Sequence, residues 1–470
     1  MKKYIFLILI GALILRFVVI NQSLWLDEAI GALVVKNQTF LQILSEFPKH
    51  DNHPPLYYLF LKLWSNIFGY SEIALRSLSV LFGVGTIYFV YKIGKLFDKR
   101  LGEISAILIA TSQFHIYYSQ EARMYALAAF FATVAFYLFF RKKWALFSIT
   151  LAAMIFTDYM PAFLLPTFWI IGILKKNNKK WWKKFVLSHI PLVVLGLAWA
   201  PIFLTQLANG RWLVQALPGW QSIAGGATLK QAVLVWMKFT LGRISFTDKT
   251  PFYLLVGVCS IPFLLVLYKA WKEREKVISL WLFLLLPLVL GFLVSFFIPA
   301  FIYFRYVYVV PAFYLFLSWG VINFRIPLFR NVLLVGILAV NFISWGIYVL
   351  DSHQQREQWR QAVTFVESKA KYNEVVLFNF TEPFAPYQWY EKGIVPAKGL
   401  TDSLLANPIP TRTKTIADVE KFDGAYYFEY LWQLHDPDQV VLRTLKDIGF
   451  IDVAIFDFPG VGAVRYLKRL

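Results

Sequence analysis

Between residues 3 and 350 one feature recurs: an apolar stretch close to the roughly 20 residues an α-helix needs to cross a bilayer, followed by a polar turn. Spans are expected near 3–20, 73–96, 102–118, 124–140, 143–157, 159–174, 185–206, 251–269, 277–298, 305–322 and 331–350, about eleven in all. Such a chain has too much apolar surface for a water-soluble core. Hydrophobic residues make up 58% of it and charged residues 16%, against roughly 25% charged in an ordinary globular domain. The single cysteine, Cys259, excludes an intramolecular disulfide and a cysteine-rich metal site. The fold class expected is mostly α: a polytopic membrane protein.

The net charge of +19 could suggest a nucleic-acid partner, but its distribution argues otherwise. Residues 1–350 carry 33 Lys and Arg against 12 Asp and Glu, whereas 351–470 carry 14 against 16. The positive excess lies in the apolar part, where it sets orientation. The basic turns are Lys2 and Lys3, Lys92 to Arg100, Arg141 to Lys143, Lys175 to Lys184, Lys269 to Lys276, and Arg325 with Arg330. By the positive-inside rule that face is cytoplasmic. Met1 then starts inside, and with no small-residue cleavage site after it the first span is retained. Residues 53–68 (HPPLYYLFLKLWSNIF) are apolar enough to compete as a span, but counting them would invert every basic cluster downstream. They are placed in the outer interface as a juxtamembrane helix.

Two domains are expected: 1–350, with long outer loops 21–72 and 207–250, and a soluble α/β domain, 351–470. In the second, 354–370 reads as an amphipathic helix, 375–380 as a strand, and Asp436-Pro437 as the start of a helix ending at Gly449. Residues 451–458 and 463–467 read as two strands around Pro459-Gly460. An odd number of spans puts this domain outside, with eight of the twelve acids of the membrane half. Any chemistry is therefore expected on the extracytoplasmic face.

Three segments there carry candidate groups. Trp25-Leu26-Asp27-Glu28 sets two acids in an apolar setting, where burial would raise a carboxylate's proton affinity and suit it to act as a base; the plainer alternative is an interfacial Trp anchor beside two solvated acids. His50-Asp51-Asn52-His53-Pro54-Pro55 offers Asp51 and His53 as metal ligands or as a rigid turn, without a regular ligand spacing. Tyr117 to Tyr125 contains Glu121 and Arg123. Arg16, Arg76, Arg123 and Arg305 all fall at outer ends of spans, with Tyr125, Tyr303 and Tyr306 beside them. A single such Arg snorkels or pairs with an acid, but four at one level suit a lipid phosphate, since a guanidinium binds two oxygens at once. Signatures of P-loop, Rossmann and serine-nucleophile enzymes are absent.

The segments NQSLWLDEA, DNHPPLYY, YYSQEARMYAL and FRYVYVVPAFYLFLS, in this order over residues 1–320, resemble the GT-C membrane glycosyltransferases. The nearest set is the family-39-like group that includes protein O-mannosyltransferases and the aminoarabinose transferases of lipid A. The resemblance implies transfer of a sugar from a polyprenyl-phosphate donor to a hydroxyl of a lipid, glycan or protein acceptor on the extracytoplasmic face, usually with inversion. It implies Asp27, with Glu28 beside it, as the base. Arg123, Tyr125, Arg305, Tyr306 and Arg76 would hold the donor phosphate. A divalent metal at Asp51 and His53 is left open, because some members place one near this loop. No β-trefoil insertion of the eukaryotic protein O-mannosyltransferases is present. The rival reading is a secondary transporter, or a membrane protein that handles lipid-linked sugars without transferring them. A transporter calls for internal repeats and midplane charges; no repeat is found, and the charges gather at one face.

Overall fold

A computed structural model describes residues 2–470. Met1, whose cytoplasmic placement the sequence predicts, lies outside the described residues. The chain forms two compact units. The first holds residues up to Ile20, Gln38–Leu207 and Ala224–Gln354; the second holds Asn21–Asn37, Ala208–Ile223 and Gln355–Leu470.

The first unit is helical. Among the described residues six helices are long and apolar enough to cross a membrane: Glu72–Phe97, Lys179–Ala216, Lys249–Lys272, Arg274–Val294, Tyr303–Ile322 and Pro327–Leu350. Shorter apolar helices cover Tyr4–Phe17, Tyr125–Phe140, Trp144–Thr157 and Met160–Leu174. The segment expected to lie in the interface is the 13-residue helix Leu56–Phe68, which is not among these candidate spans.

The expected span 102–118 departs from a single helix. It breaks at Ser112 (ψ 115°) into Lys99–Thr111 and Gln113–Ser119. The Ser112 hydroxyl accepts the His115 N–H at 3.3 Å and so caps the second piece. Small residues set one helix crossing: a Cβ on Gly94 would lie 2.5 Å from the Gly102 Cα, so only glycine allows that approach.

The second unit is built on a five-stranded sheet in the order β2-β1-β3-β5-β4. Its strands are β1 (Glu374–Phe378), β2 (Ala397–Gly399), β3 (Gly424–Phe428), β4 (Phe450–Phe458) and β5 (Gly462–Arg469). Strand β1 runs parallel to β2 and β3, while β5 pairs antiparallel with β3 and β4. The alternation of strand side chains divides two cores. Val376, Phe378, Tyr426 and Phe428 pack with Trp359 of the helix Trp359–Lys369, while Val375, Leu377, Ala425 and Tyr427 pack with Val441 and Leu445 of the helix Val440–Asp447.

Residues 21–37 are part of this unit. Leu26 packs on the first core, the Leu24 N–H donates to the Tyr390 hydroxyl at 2.7 Å, and the Arg356 N–H donates to Gln22 Oε1 at 2.7 Å. The Lys36 ammonium stands 5.2 Å from the Trp389 ring centre. The stretch after the first span is thus a helix, Leu26–Asn37, docked on an α/β sheet formed more than 300 positions later.

Candidate active site

Three groupings of polar side chains stand out: two in the first unit and one in the second.

The first surrounds the His50–Pro55 turn. His53 Nδ1 and Asp51 Oδ1 are 3.1 Å apart, and the Asn52 N–H donates to the same oxygen at 2.8 Å. Gln206 locks the turn from a distant helix, its Nε2 donating to the carbonyls of Pro48 (2.9 Å) and His53 (3.1 Å). Tyr159 in turn donates to Gln206 Oε1 and accepts Trp199 Nε1–H at 2.8 Å. Arg123 is buried and donates to the Tyr58 hydroxyl at 2.9 Å. Asp158 caps the short turn after it, accepting the Met160 N–H at 2.9 Å.

The two carboxyls here are pushed in opposite directions. Burial opposes ionisation of Asp51, but the charge and hydrogen bond of His53 and the charge of Arg123 outweigh it and hold Asp51 below the usual range. Asp158 is raised by burial, which His53, the Met160 N–H, Arg305 and Arg123 only partly offset. The two acids are thus shifted apart, Asp51 towards the charged form and Asp158 away from it, and such divergence can separate acid from base roles in active sites. Arg305, Tyr306 and Tyr308 border the same group. Arg305 donates to the Pro299 carbonyl at 3.1 Å, and the Tyr306 and Tyr308 hydroxyls have no hydrogen-bond partner among the described residues. Tyr306 fits only because residue 291 is glycine, since a Cβ there would lie 1.7 Å from its hydroxyl oxygen.

The second grouping was not foreseen from the sequence. The helix Leu229–Leu241 ends at Gly242, whose φ of +81° favours glycine. A Cβ on Gly242 would also lie 1.9 Å from Gln113 Oε1. That close approach lets the Gln113 side chain accept the Arg243 N–H. The Arg243 guanidinium then sits 5.5 Å from the Tyr117 ring centre and 5.6 Å from that of Tyr303. The Lys238 ammonium, buried, stands 5.9 Å from the same Tyr303 ring and donates to the Ile244 carbonyl at 2.8 Å. A buried and a half-buried cation therefore share one tyrosine ring, with Glu121 the carboxylate whose charge reaches Arg243. Burial, then Arg243, then Lys249 bring the Lys238 ammonium down to about 7. Arg243 Nε lacks a hydrogen-bond partner among the described residues.

The third grouping holds Asp27 and Glu28 in the first turn of Leu26–Asn37. Glu28 is fully buried and Asp27 half-buried. Burial raises the nearby Glu357 carboxyl to about 7, with the charge of Asp27 adding to the effect.

The arginines expected at one level divide by role. Arg16 is consumed by its surroundings: it donates to the carbonyls of Ala12 (3.0 Å) and Ala110 (3.1 Å) and to Ser119 Oγ (3.2 Å), and lies 2.7 Å from His115 Nδ1. Arg76 is buried and donates to the Ile20 carbonyl at 2.8 Å. Arg123 and Arg305 meet at the Asp51–Asp158 group, with Tyr306 beside them. Tyr125 sets its ring edge-on to Tyr118 (5.3 Å) and Phe304 (5.7 Å), between the first two groupings. Asp51 and His53 form a pair, and among the described residues no group of three or more His, Cys, Asp or Glu side chains is placed to hold a metal ion. Two donors already bonded to each other do not make a metal cage.

A family profile described as dolichyl-phosphate-mannose-protein mannosyltransferase matches residues 52–204. An uncharacterised protein of Aquifex aeolicus (strain VF5) is 27% identical over 304 residues, covering 59% of this chain and 56% of that protein. The chain thus spans little more than half the length of that relative. Among solved structures, ArnT from Cupriavidus metallidurans in the apo state superposes with a TM-score of 0.60 at 10% identity, over 99% of this chain and 98% of that one. The same protein bound to undecaprenyl phosphate gives 0.58, again at 10% identity and over 99% and 98% of the two chains. An Archaeoglobus fulgidus oligosaccharyltransferase, crystallised with Zn and sulfate, gives 0.56 at 13% identity, over 99% of this chain and 73% of that one. The fold is similar to that of these membrane glycosyltransferases, and residues 52–204 are similar to the mannosyltransferase family.

Proposed function

We propose that the protein is a membrane glycosyltransferase that takes a sugar from a polyprenyl-phosphate donor and places it on an acceptor hydroxyl at the extracytoplasmic face. The observation that carries this reading is the pair of cations, the half-buried Arg243 and the buried Lys238, that both stand within 6 Å of the Tyr303 ring centre. Like charges drawn together away from water are unfavourable unless an anion joins them. The tyrosine faces and the neighbouring Phe114 and Phe239 offer an apolar wall suited to an isoprenoid chain. The ArnT structure with undecaprenyl phosphate supports the same ligand class.

In this reading Arg243 and Lys238 hold the donor phosphate. They neutralise the charge that develops as the C1–oxygen bond breaks, which is commonly a large part of catalysis in such a site. Arg123 and Arg305, already faced by Asp51 and Asp158, are less free to bind a phosphate. With Tyr306 and the two acids they form a polar group suited to sugar hydroxyls. Arg76, bonded to a backbone carbonyl, and Tyr125, among aromatic rings, support that machinery. Asp27 is the base, with Glu28 beside it, a role carried by the family resemblance. It takes the proton from the acceptor hydroxyl as that oxygen bonds to the anomeric carbon. The polyprenyl phosphate leaves with the bonding pair, and the configuration at that carbon inverts. No step is routed through a metal at Asp51 and His53.

The test is a panel of polyprenyl-phosphate sugars offered to the purified protein in lipid nanodiscs, with release of polyprenyl phosphate as the readout. Release from at least one donor, reduced tenfold or more in Arg243→Ala, is the expected result (order of magnitude for losing a charge-assisted phosphate contact). Failure of every donor to bind or turn over would favour a transporter or scaffold.

A further inference from the structure

The turn that joins the helices Tyr125–Phe140 and Trp144–Thr157 consists of three cations, Arg141, Lys142 and Lys143. It is tightly closed. The N–H groups of Arg141, Lys142 and Lys143 donate to the carbonyls of Tyr137 (3.0 Å), Phe139 (3.1 Å) and Leu138 (3.1 Å), and Lys142 takes a φ of +53°. Six more lysines follow between 175 and 184, four of them on the helix Lys179–Leu187. Between Glu121 and Asp248 the chain holds one acid, Asp158, and that residue belongs to the grouping around the His50–Pro55 turn.

Aromatic packing sets the turn against that helix. Asn178 caps the helix, its Oδ1 accepting the Trp181 N–H at 2.9 Å. The buried Trp181 meets Trp144 edge-on at 5.3 Å and stacks on Phe185 at 4.9 Å, and Phe139 meets both Trp181 and Phe185 at 5.8 Å. This packing leaves a cavity of about 540 Å³ whose polar lining is Lys142, Lys143, Lys184, Ser148 and Ser188. A second cavity of about 280 Å³ shares Lys142, Trp144 and Lys184 with it and adds Lys180, Asn177 and Asn178. No acid lines either one. The buried Ser148 hydroxyl, on the wall of the larger cavity, has no hydrogen-bond partner among the described residues.

The same cavity has an apolar rim. Leu146 and Leu187 line it and are 56% and 49% exposed, and Ile149 and Ile190 continue that surface along the chain. Cations gathered around one hollow draw an anion, and a lysine ammonium suits a phosphate as a mobile point charge. A soluble anion would use the lysines alone, whereas a lipid uses the lysines and the leucines together. These turns are among those expected on the cytoplasmic face, where anionic lipid makes the bilayer surface negative.

We propose that this hollow binds an anionic membrane phospholipid, its phosphate among Lys142, Lys143 and Lys184 and its acyl chains along Leu146 and Leu187. The site shares no residue with the three groupings above, and the inference does not depend on the sugar-transfer reading.

The experiment titrates the full chain, in a neutral detergent at fixed ionic strength, with phosphatidylglycerol or phosphatidylcholine of the same acyl chains, and counts bound lipid by native mass spectrometry. Wild type should bind phosphatidylglycerol about tenfold or more tightly than phosphatidylcholine. Lys142→Gln with Lys184→Gln should weaken phosphatidylglycerol about tenfold and leave phosphatidylcholine within about twofold. Lys99→Gln with Arg100→Gln removes the same charge from another basic turn and should leave both lipids within about twofold. Unchanged phosphatidylglycerol binding in the first pair would overturn the proposal. An equal loss in the second pair would also overturn it, since binding would then follow the charge of the whole face. Millimolar inorganic phosphate, with ionic strength matched by chloride, should displace little lipid; full displacement would make this a soluble-phosphate site and overturn the lipid assignment. If the first pair fails to fold, Lys184→Gln alone decides: a loss of about threefold supports the site, and wild-type affinity overturns it.

Discussion

Lys238 ties the proposed donor site to pH. Its ammonium is lowered to about 7 by burial and by Arg243 and Lys249, and the helix that carries it is outside the candidate membrane spans. The protonated form is the one that binds a phosphate, so affinity should follow the charged fraction. That fraction is roughly three quarters at pH 6.5 and about 3% at pH 8.5, so binding should weaken about 25-fold across the range, near 1.9 kcal/mol. The lipid phosphate's own second ionisation, near pH 6, adds negative charge as pH rises and would strengthen binding. A fall in affinity therefore cannot come from the ligand. The assay is equilibrium binding of undecaprenyl phosphate to the protein in nanodiscs at fixed ionic strength, for wild type and Lys238→Met. The variant should bind about tenfold more weakly at pH 6.5 and lose the downward slope. A wild-type affinity that is flat or rises from pH 6.5 to 8.5 would refute the argument, as would an equal fall in Lys238→Met.

Other consequences can be measured independently. Gly291→Ala places a methyl group 1.7 Å from the Tyr306 hydroxyl oxygen, so the ring must move. The expected cost is about 1–3 kcal/mol in stability, together with lower turnover, and a thermal shift within error of wild type would contradict it. The surroundings oppose the charge on Asp158 and favour that on Asp51. Asp158→Asn should therefore cost under about 1 kcal/mol, and Asp51→Asn about 1–3 kcal/mol, in denaturant unfolding near pH 7; the reverse order would count against the opposed pKa shifts. Burial pushes the Glu357 carboxyl up to about 7 in the folded protein, from an ordinary value near 4.5. The folded state holds the extra proton between those values, so stability falls as pH rises from about 4.5 to 7, by roughly 3 kcal/mol in total. Unfolding of the second unit at pH 5 and pH 8 should show this loss in wild type, and Glu357→Gln should abolish it.

Much of the fold was legible because lipid imposes a coarse rule. Apolar runs with basic turns mark helices, and the observed helices fall on the expected spans with shifts at their ends. The rule was blind to the break at Ser112, because a capping hydroxyl in an apolar run leaves the hydropathy unchanged. It also did not reveal that residues 21–37 belong with residues 355–470. That union rests on single contacts such as Leu24 with Tyr390 and Gln22 with Arg356, which leave no pattern along the chain. In the sheet, β1, β4 and β5 were visible from their β-branched and aromatic runs. The three-residue β2 was too short, and β3 (GAYYF) was not recognised as a strand.

The candidate site was legible in part. Arg123, Arg305 and Tyr306 were expected together around a donor phosphate and Asp51 apart from them as a possible metal ligand, and the structure brings the four to one group with Asp158. Arg16, expected at the same level, is used up by Ala12, Ala110, His115 and Ser119, because a buried guanidinium with that many partners is structural. Arg243 and Lys238 fall in the expected outer loop 207–250, and neither belongs to a recognisable motif. The one local signal was Leu-Gly-Arg at a helix end, and glycine stops are too common to mark a site.

The central claim is that this protein transfers a sugar from a polyprenyl-phosphate donor with Asp27 as the base. The most direct measurement is release of polyprenyl phosphate and transfer of its sugar by wild type and by a folded Asp27→Asn variant in the same nanodiscs. The account predicts turnover by wild type and a loss of about a hundredfold or more in the variant, with donor binding retained. Equal turnover by the two proteins would contradict it.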